Sequence, residues 1–444
     1  MIENQIKKYY ILPFGCQANI ADSERIKSVL RQCDFIETAN MDEADIITVV
    51  ACSIRQHAID RIFGLKPRFD AMRKERDLLT LLSGCVLEDD KPRMQKMFDV
   101  VFPIKELPDL PKKINAAKKN LVIRDYQNIN PDYNSKFQAF LPIMNGCNQF
   151  CTFCVVPYTR GREESRPVKD ILHEFQALIQ RGYKEITLIG QTVNHYLVRE
   201  EGKIYDFADL ITWLDKTPGN YWIRYASSHP LHFTDKVINA VAKAKHTTPY
   251  LHLPVQSGDN QMLKRMKRVY SIEQYIDIVF KMRAAIPNLM LSTDVIVGFC
   301  GETENEFQNT VKLFKELEFD MAYLAQYSNR QGTYASKHMP DDVPKAVKAK
   351  RFKILTDVLR QTSSKNNKQQ VGKTFEVLVE KVGEDGLLFG HTDTFKNIKF
   401  AGSPNLVGQF VDVKVTTASD WSLGGELEDG KLKVKKSYKV KLAV

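Results

Sequence analysis

The run Cys147-Asn148-Gln149-Phe150-Cys151-Thr152-Phe153-Cys154 places three cysteines in eight residues, spaced C-x3-C-x2-C. Thiols this close in one loop converge on something. Cuboidal iron–sulfur clusters take thiolate ligands, usually four. This loop supplies three, with no fourth cysteine nearby, which would leave one iron open to an exogenous ligand. A tetrahedral zinc site would want a fourth Cys or His. His173 lies nineteen residues past Cys154 on a helical pattern and fits that role poorly. A disulfide with a spare thiol belongs to an oxidising compartment. Phe150 and Phe153 sit between the thiols and suit a cluster shielded from water. Ligand chemistry therefore favours an iron–sulfur cluster, with zinc as the alternative.

This spacing and its surroundings resemble the radical S-adenosylmethionine (SAM) superfamily. The resemblance implies that Cys147, Cys151 and Cys154 hold a 4Fe–4S cluster. It implies that the open iron chelates the amino and carboxylate groups of SAM. An electron from the cluster would then split SAM to a 5′-deoxyadenosyl radical.

The chain has 444 residues, 43% apolar and 27% charged, which is a globular composition with length for about two to four domains. Met1 to Lys8 is polar, and no run of about eighteen apolar residues occurs. Neither a signal peptide nor a membrane span is expected. Eight cysteines, three of them in one loop, argue for metal in a reducing compartment, so a cytoplasmic location is expected. The net charge of +10 points mildly to a polyanionic partner such as nucleic acid. Solvated surface lysines explain it equally well. The excess is spread along the chain except at Lys431 to Lys441, where six of eleven residues are lysine.

Three strand patterns near the N-terminus each end close to a cysteine. Tyr9 to Leu12 precedes Pro13-Phe14-Gly15-Cys16, Asp45 to Val50 precedes Ala51-Cys52, and Leu78 to Leu82 precedes Ser83-Gly84-Cys85. Helical patterns lie between them. Ile20 to Gln32 has Asp22-Ser23-Glu24 as its cap region, and Ile54 to Phe69 reads as a second helix. The alternation predicts an open parallel sheet, with ligands gathering outside the carboxyl ends of its strands. Cys16, Cys52 and Cys85 all fall at that edge. Each follows Gly or Ala, so the backbone can approach a bulky cofactor. The functional reading is a second cluster with three protein ligands. The plain alternative is three buried structural cysteines. Cys33, in a helical stretch, and Cys300, in a turn, fit the plain alternative.

Phe14-Gly15-Cys16-Gln17-Ala18-Asn19, Ala51-Cys52-Ser53-Ile54-Arg55 and Gly84-Cys85-Val86 resemble the three N-terminal motifs of the methylthiotransferase family. The resemblance implies that these cysteines hold an auxiliary 4Fe–4S cluster that supplies or carries sulfur. Some positions depart from that family's pattern. Val50-Ala51 stand where Asn-Thr is usual, Ala18 replaces Met, Cys300 replaces Pro, and Ser328 to Thr333 lacks the usual prolines. None of these removes a ligand.

Lys105 to Pro131 reads as a connector. Beyond Phe140, helices and strands alternate. The strand patterns are Glu185–Ile189, Tyr221–Ala226, Tyr250–Pro254, Met290–Val297 and Met321–Tyr327, which predicts a barrel or partial barrel active at the carboxyl ends of its strands. Polar residues cluster there. Gln191, Asn194, Ser228, Gln256 and Asp294 are the candidates for contacts to SAM, and the same residue types also suit turns. His229 and His252 are assigned no role as bases. Pro142 to Cys147, Cys154-Val155-Val156-Pro157-Tyr158-Thr159-Arg160-Gly161-Arg162, Leu253 to Gly258 and Ile296 to Thr303 resemble the MiaB branch of the methylthiotransferases. That branch acts on isopentenylated adenosine 37 of tRNA. Related branches act on threonylcarbamoyl-adenosine 37 or on an aspartate of a ribosomal protein.

Pro344 to Gln370 is a Lys-rich helical pattern. Five short strands follow, Thr374–Glu380, Leu387–Gly390, Asn397–Phe400, Phe410–Val415 and Trp421–Leu427, which suggest a small β-barrel of the oligonucleotide-binding type. Position and pattern resemble the TRAM domain. Phe389, His391, Phe395 and Lys396 could contact RNA, or the two Phe could fill the barrel.

The sequence thus predicts an α/β chain in three parts. These are an auxiliary-cluster domain over residues 5–125, a radical-SAM core over 133–365 and a TRAM-like RNA-binding domain over 368–435. The resemblance implies two 4Fe–4S clusters and SAM as cofactors, and methylthiolation of C2 of the tRNA adenosine. One SAM would donate the methyl group to sulfur and a second would provide the radical. Expected partners are the tRNA anticodon loop and a reducing electron-donor protein, with the chain itself a monomer. The other methylthiotransferase branches stay open, as does a non-catalytic RNA-binding protein with structural metal.

Overall fold

The computed structural model describes residues 7–52, 56–116, 125–126 and 129–428. Ser53-Ile54-Arg55 of the second cysteine motif, part of the Lys105–Pro131 connector and the Lys431–Lys441 segment lie outside the described residues. The chain forms two compact units, and they do not follow its linear order.

The first unit gathers Met1–Ser135, Met144–Arg166 and Ser328–Met339. Its frame is a sheet of β1 (Lys8–Pro13), β2 (Ile36–Glu37), β3 (Ile46–Cys52), β4 (Leu79–Cys85) and β5 (Val100–Val101), in the order β2-β1-β3-β4-β5. Every pairing is parallel. β3 is buried at all its residues, which is why Ile46 to Ala51 is nearly continuously apolar. Ile47, Val49, Leu82, Phe69 and Phe98 pack together in one core layer. Tyr9, Val50, Leu81, Ile26 and Phe102 pack in another.

Two expectations for this unit are corrected. Helix α1 spans Gln17–Gln32 and its N-cap is Cys16, not the Asp22 region. Asp22, Ser23 and Glu24 are buried in mid-helix, because Asp22 is the ion-pair partner of Arg160. The second helical pattern is two helices, α2 (Gln56–Phe63) and α3 (Lys66–Glu75). Pro67 stands in the first turn of α3. Its missing N–H is harmless there but would break a continuing helix.

The second unit gathers Lys136–Ile143, Pro167–Tyr327 and Pro340–Val444. Gln138–Pro142, Glu185–Ile189 and Trp222–Tyr225 form one parallel set of strands. Tyr250–His252, Met290–Val297 and Met321–Gln326 form another. Thr247 bridges Ile223 in parallel and links the two. Helices such as Val168–Gln180, Ile272–Ala285 and Glu304–Leu317 fill the connections, giving a partial βα barrel. Ser271 with Gln274, and Thr303 with Glu306, close capping boxes at two helix starts.

The helix Lys345–Lys368 leads into a closed barrel built from Thr374–Val382, Leu388–Thr392, Asn397–Phe400, Phe410–Ala418 and Leu423–Leu427. Val377, Val379, Leu388, Phe400 and Val413 fill it. Three of its four candidate RNA contacts pack against the βα core instead. His391 bonds Glu185 and Glu380. Lys396 Nζ lies 2.7 Å from Asp320 Oδ1 and 2.9 Å from Asn367 Oδ1. Phe395 packs on Tyr250, with the Arg224 guanidinium over its ring. Phe389 is half-buried, and the Lys381 and Lys399 ammonium groups stand 5.9 and 5.1 Å from its ring.

Candidate functional site

The first unit brings Cys16, Cys52 and Cys85 together. Cys52 and Cys85 are register partners at the carboxyl ends of β3 and β4. Cys16 lies at the start of α1. Gly15 has φ +112°, and a Cβ there would stand 2.4 Å from Cys52 Cβ and 2.7 Å from Cys52 Sγ. Gly84 has φ +91°, and its Cβ would stand 2.6 Å from the Ala51 carbonyl. The two glycines therefore let the cysteine-bearing segments approach one another, whereas the sequence suggested an approach to a cofactor. Asn19 holds the arrangement. Its Nδ2 donates to the Phe14 and Ala51 carbonyls, each at 2.6 Å. Its Oδ1 lies 3.8 Å from Cys16 Sγ and 3.9 Å from Cys85 Sγ. Cys33 caps the end of α1, and Cys300 is buried in a turn beside Tyr327.

The loop carrying Cys147, Cys151 and Cys154 belongs to the same unit. Met144–Asn145 pairs with Glu164–Ser165 and closes it. Gly146 has φ +78°, and a Cβ there would lie 2.0 Å from the Arg162 carbonyl oxygen. The Cys147 N–H donates to Gly161 at 3.1 Å, and the Cys154 N–H to Cys151 at 3.0 Å. Two backbone N–H groups face the sulfurs, Gln149 to Cys147 Sγ at 3.5 Å and Val156 to Cys154 Sγ at 3.4 Å. Such bonds favour the thiolate form that binds iron. Arg162 covers the Phe150 ring at 4.6 Å, and Tyr158 meets it edge-on. The Ala335 N–H donates to the Thr152 carbonyl at 2.8 Å.

Arg160 joins the two cysteine motifs. Its Nε donates to Cys85 Sγ at 3.0 Å and its Nη1 to Asn145 Oδ1 at 3.3 Å. Its Nη2 reaches Asn19 Oδ1 at 3.0 Å and Asp22 Oδ2 at 2.7 Å. Tyr126 donates its hydroxyl to Asp22 from the other side. All these groups are buried. Burial pushes the Cys85 thiol up to about 11, against the pull of Arg160. Residue-by-residue reading missed Asn19, Asp22, Tyr126 and Arg160 as parts of the site. Asn19 and Arg160 do stand inside the quoted motifs, which was the available signal.

None of the eight cysteines forms a disulfide. Among the described residues, no three His, Cys, Asp or Glu side chains surround a single-ion site. Cluster thiolates bind different irons and need not converge on one point. Two trios of thiols, one met by backbone N–H groups and the other by a buried guanidinium, fit the donor set of iron–sulfur clusters.

The remaining candidates lie in the second unit. Ser228 Oγ and Gln191 Oε1 are buried and meet no hydrogen-bond partner among the described residues, as is true of the neighbouring Tyr225 OH and His229 Nε2. His229 Nδ1 accepts from the Leu231 N–H, which leaves the proton on Nε2 as a buried, unused donor. Burial drives the pKa of His229 down to about 2, aided by Arg268 and two neighbouring histidines, so the ring is neutral. Asn194 is occupied, its amide exchanging bonds of 2.9 and 2.8 Å with the His229 backbone. Gln256 has φ +69° and bridges Val295, while Asp294 faces His252 at 3.5 Å. Orphaned donors and acceptors near the strand ends fit a polar ligand such as SAM.

The chain matches three family descriptions in order. These are Uncharacterized protein family UPF0004 over residues 8–103, the Radical SAM superfamily over 141–314 and the TRAM domain over 368–427. Among solved structures, the apo cobalamin-dependent S-adenosylmethionine radical enzyme OxsB aligns at TM-score 0.52 and 13% identity, covering 80% of this chain and 56% of that one. The radical S-adenosylmethionine methyltransferase TsrM from Kitasatospora setae aligns at 0.52 and 11% identity, covering 72% and 75%. The Radical SAM match, which contains the cysteine loop, defines a radical-SAM protein, and the solved structures share its fold. A Clostridium botulinum (strain Loch Maree / Type A3) protein named tRNA-2-methylthio-N(6)-dimethylallyladenosine synthase is 40% identical, covering 95% of this chain and 97% of that protein. One of the same name from Phocaeicola vulgatus is 38% identical over 96% of both chains. This chain belongs to that family of radical-SAM methylthiotransferases.

Proposed function

We propose that this chain transfers a methylthio group to C2 of N6-isopentenyladenosine 37 in tRNA. The dimethylallyl group in the relatives' name is the same five-carbon substituent. The observation that carries the proposal is the pair of cysteine trios in one compact unit, on a chain matched over 95% of its length by a protein of that name. Cys147, Cys151 and Cys154 would hold one 4Fe–4S cluster, and Cys16, Cys52 and Cys85 the other. When bound, the clusters and SAM supply the electron, sulfur, methyl group and radical that side chains cannot.

The chain's own residues have simpler tasks. The Gln149 and Val156 N–H groups steady two thiolates. Gln191, Ser228 and His229 offer SAM buried polar atoms that no described residue bonds. Gln256 and Asp294 remain in the proposed SAM set, and Asn194 supports it by fixing the His229 backbone. Phe389, Lys381 and Lys399 offer a ring and two ammonium groups to single-stranded RNA. The target base must leave its stack, which loop adenosines do readily. The domain limits are proposed as 5–125, 133–365 and 368–435. The working partners are tRNA and a reducing electron donor, with a monomeric, cytoplasmic protein. No helix among the described residues is long and apolar enough to cross a membrane.

The test is anaerobic reconstitution with iron and sulfide counting, followed by mass analysis of tRNA nucleosides. Wild type should hold about eight irons, and a Cys16/Cys52/Cys85→Ala variant about four, on four-iron stoichiometry. Isopentenylated tRNA should gain the methylthio group with wild type alone. About four irons in both proteins would remove the auxiliary cluster and with it this function.

A further inference from the structure

Arg160 is a buried cation with four hydrogen-bond partners, one of them a sulfur. It stands six residues past Cys154, yet it donates to Cys85, 75 residues away in sequence. Its counter-ion Asp22 is equally buried, and Asp22 is itself held by Tyr126. A structural salt bridge needs no bond to a thiol. The fork geometry is specific to guanidinium, since Nε takes the sulfur while Nη2 takes Asn19 and Asp22.

We propose that Arg160 is a positioning residue that sets the reduction potential of the cluster held by Cys16, Cys52 and Cys85, with Asp22 as its counterweight. This rests on the auxiliary-cluster reading above. Reduction adds one electron, and so one negative charge, to a cluster. A fixed positive charge hydrogen-bonded to a ligand sulfur favours the reduced form and raises the potential. Burial strengthens that interaction because little water screens it. Asp22 offsets part of the charge. The two residues therefore pull the potential in opposite directions. Through Asn145 and the loop of Cys147 to Cys154, Arg160 also ties the geometry of one cysteine motif to the other.

The experiment is a potentiometric titration of the reconstituted full-length protein, with dithionite as electron source and electron paramagnetic resonance as readout. A Cys147/Cys151/Cys154→Ala variant identifies which signal belongs to the auxiliary cluster. Arg160→Gln should lower the midpoint potential of that signal. Asp22→Asn should raise it, and Arg160→Lys should fall between Arg160→Gln and wild type. Opposite shifts from two neighbouring buried substitutions are not what general damage to the unit produces. Shifts of the same sign, or no shift with both clusters assembled, would overturn the inference. If Arg160→Gln fails to retain its irons, Asp22→Asn decides alone, and a potential equal to wild type refutes the proposal. A wild-type protein with a single cluster signal would instead defeat the auxiliary-cluster reading itself.

Discussion

Glu185 Oε2 lies 2.7 Å from His391 Nε2, joining the second strand of the βα core to the C-terminal barrel across 206 positions of sequence. Arg224 Nε reaches the same carboxylate oxygen at 2.6 Å, and Glu380 takes His391 from its other side at 2.9 Å. Gln138 bonds both Glu185 and Glu380. Trp222 donates its indole N–H to Glu376 at 3.1 Å. The barrel is thus clamped to the core by charges with their hydrogen bonds made, which is the condition under which buried ions are tolerated.

The clamp should make stability depend on pH. Burial alone would lower the pKa of His391, but Glu185 and Glu380 outweigh it and raise the value. A raised histidine stabilises fully below its unfolded pKa of about 6.5, and that contribution fades as pH climbs through the higher folded value. Glu185 behaves in the opposite sense. Burial opposes its charge, yet Arg224 and His391 hold its pKa far below the carboxylate range. Its contribution is present above about 4.3 and is lost only in stronger acid. Wild type should lose stability above about pH 6.5, and His391→Gln should flatten that slope in urea unfolding followed across pH. Glu185→Gln should cost about 3–5 kcal/mol near neutrality, because it strands Arg224 in the interior.

Gly15 tests the closeness of the cysteine segments. Gly15→Ala would combine a positive φ with a Cβ 2.4 Å from Cys52 Cβ. Strain of this kind costs about 1–3 kcal/mol, and the segment can relieve it only by moving Cys16 away from Cys52. The reconstituted variant should bind about half the wild-type iron, since only one of two four-iron sites is disturbed. Retention of full iron content would mean that the strand ends tolerate more separation than the geometry indicates.

The barrel lysines should divide by burial. Lys396→Met removes a buried ammonium from Asp320 and Asn367 and should destabilise the fold by about 3–5 kcal/mol. Lys381→Ala leaves the core intact. On the proposed function it should weaken tRNA binding and reduce the salt dependence of binding by about one unit of slope, as loss of one phosphate contact does. Filter binding at several salt concentrations, beside thermal unfolding of both variants, separates the two effects.

The longer strands before the cysteines and in the two barrels, and the spacing of the six proposed ligands, were legible in the sequence, for physical reasons, whereas Ile36–Glu37, Val100–Val101, Gln138–Pro142, Leu197–Glu200 and Lys203–Asp206 were not. Buried parallel strands are continuous apolar runs, and thiols spaced for a cluster stand out in a thiol-poor chain. The support around the thiols was not legible. Asp22 begins the triplet Asp22-Ser23-Glu24, which reads as a helix start because those residue types cap helices. Its role depends on Arg160, 138 residues later. Tyr126 arrives from a segment whose pattern is a connector. His391 failed differently. Alternation along a strand separates barrel interior from exterior. It does not say whether the exterior meets RNA or another part of the chain.

His229 gives the sharpest test of the proposed SAM pocket, because it contributes through one buried donor and through no charge. Its Nδ1 is committed to the Leu231 N–H and its backbone to Asn194, so His229→Ala removes the orphaned Nε2–H while leaving the bonds that Asn194 makes to the backbone. A neutral hydrogen bond is worth about 0.5–1.5 kcal/mol. SAM binding to the reconstituted protein should therefore weaken about two- to tenfold, measured by equilibrium dialysis. Iron content should not change. With its pKa held at about 2 by burial, His229 stays neutral throughout the working range, so the ratio of wild-type to variant affinity should not vary between about pH 6 and 9. A ratio that rises in acid would mean that His229 becomes a cation when SAM binds, and the burial that keeps it neutral would have to open first.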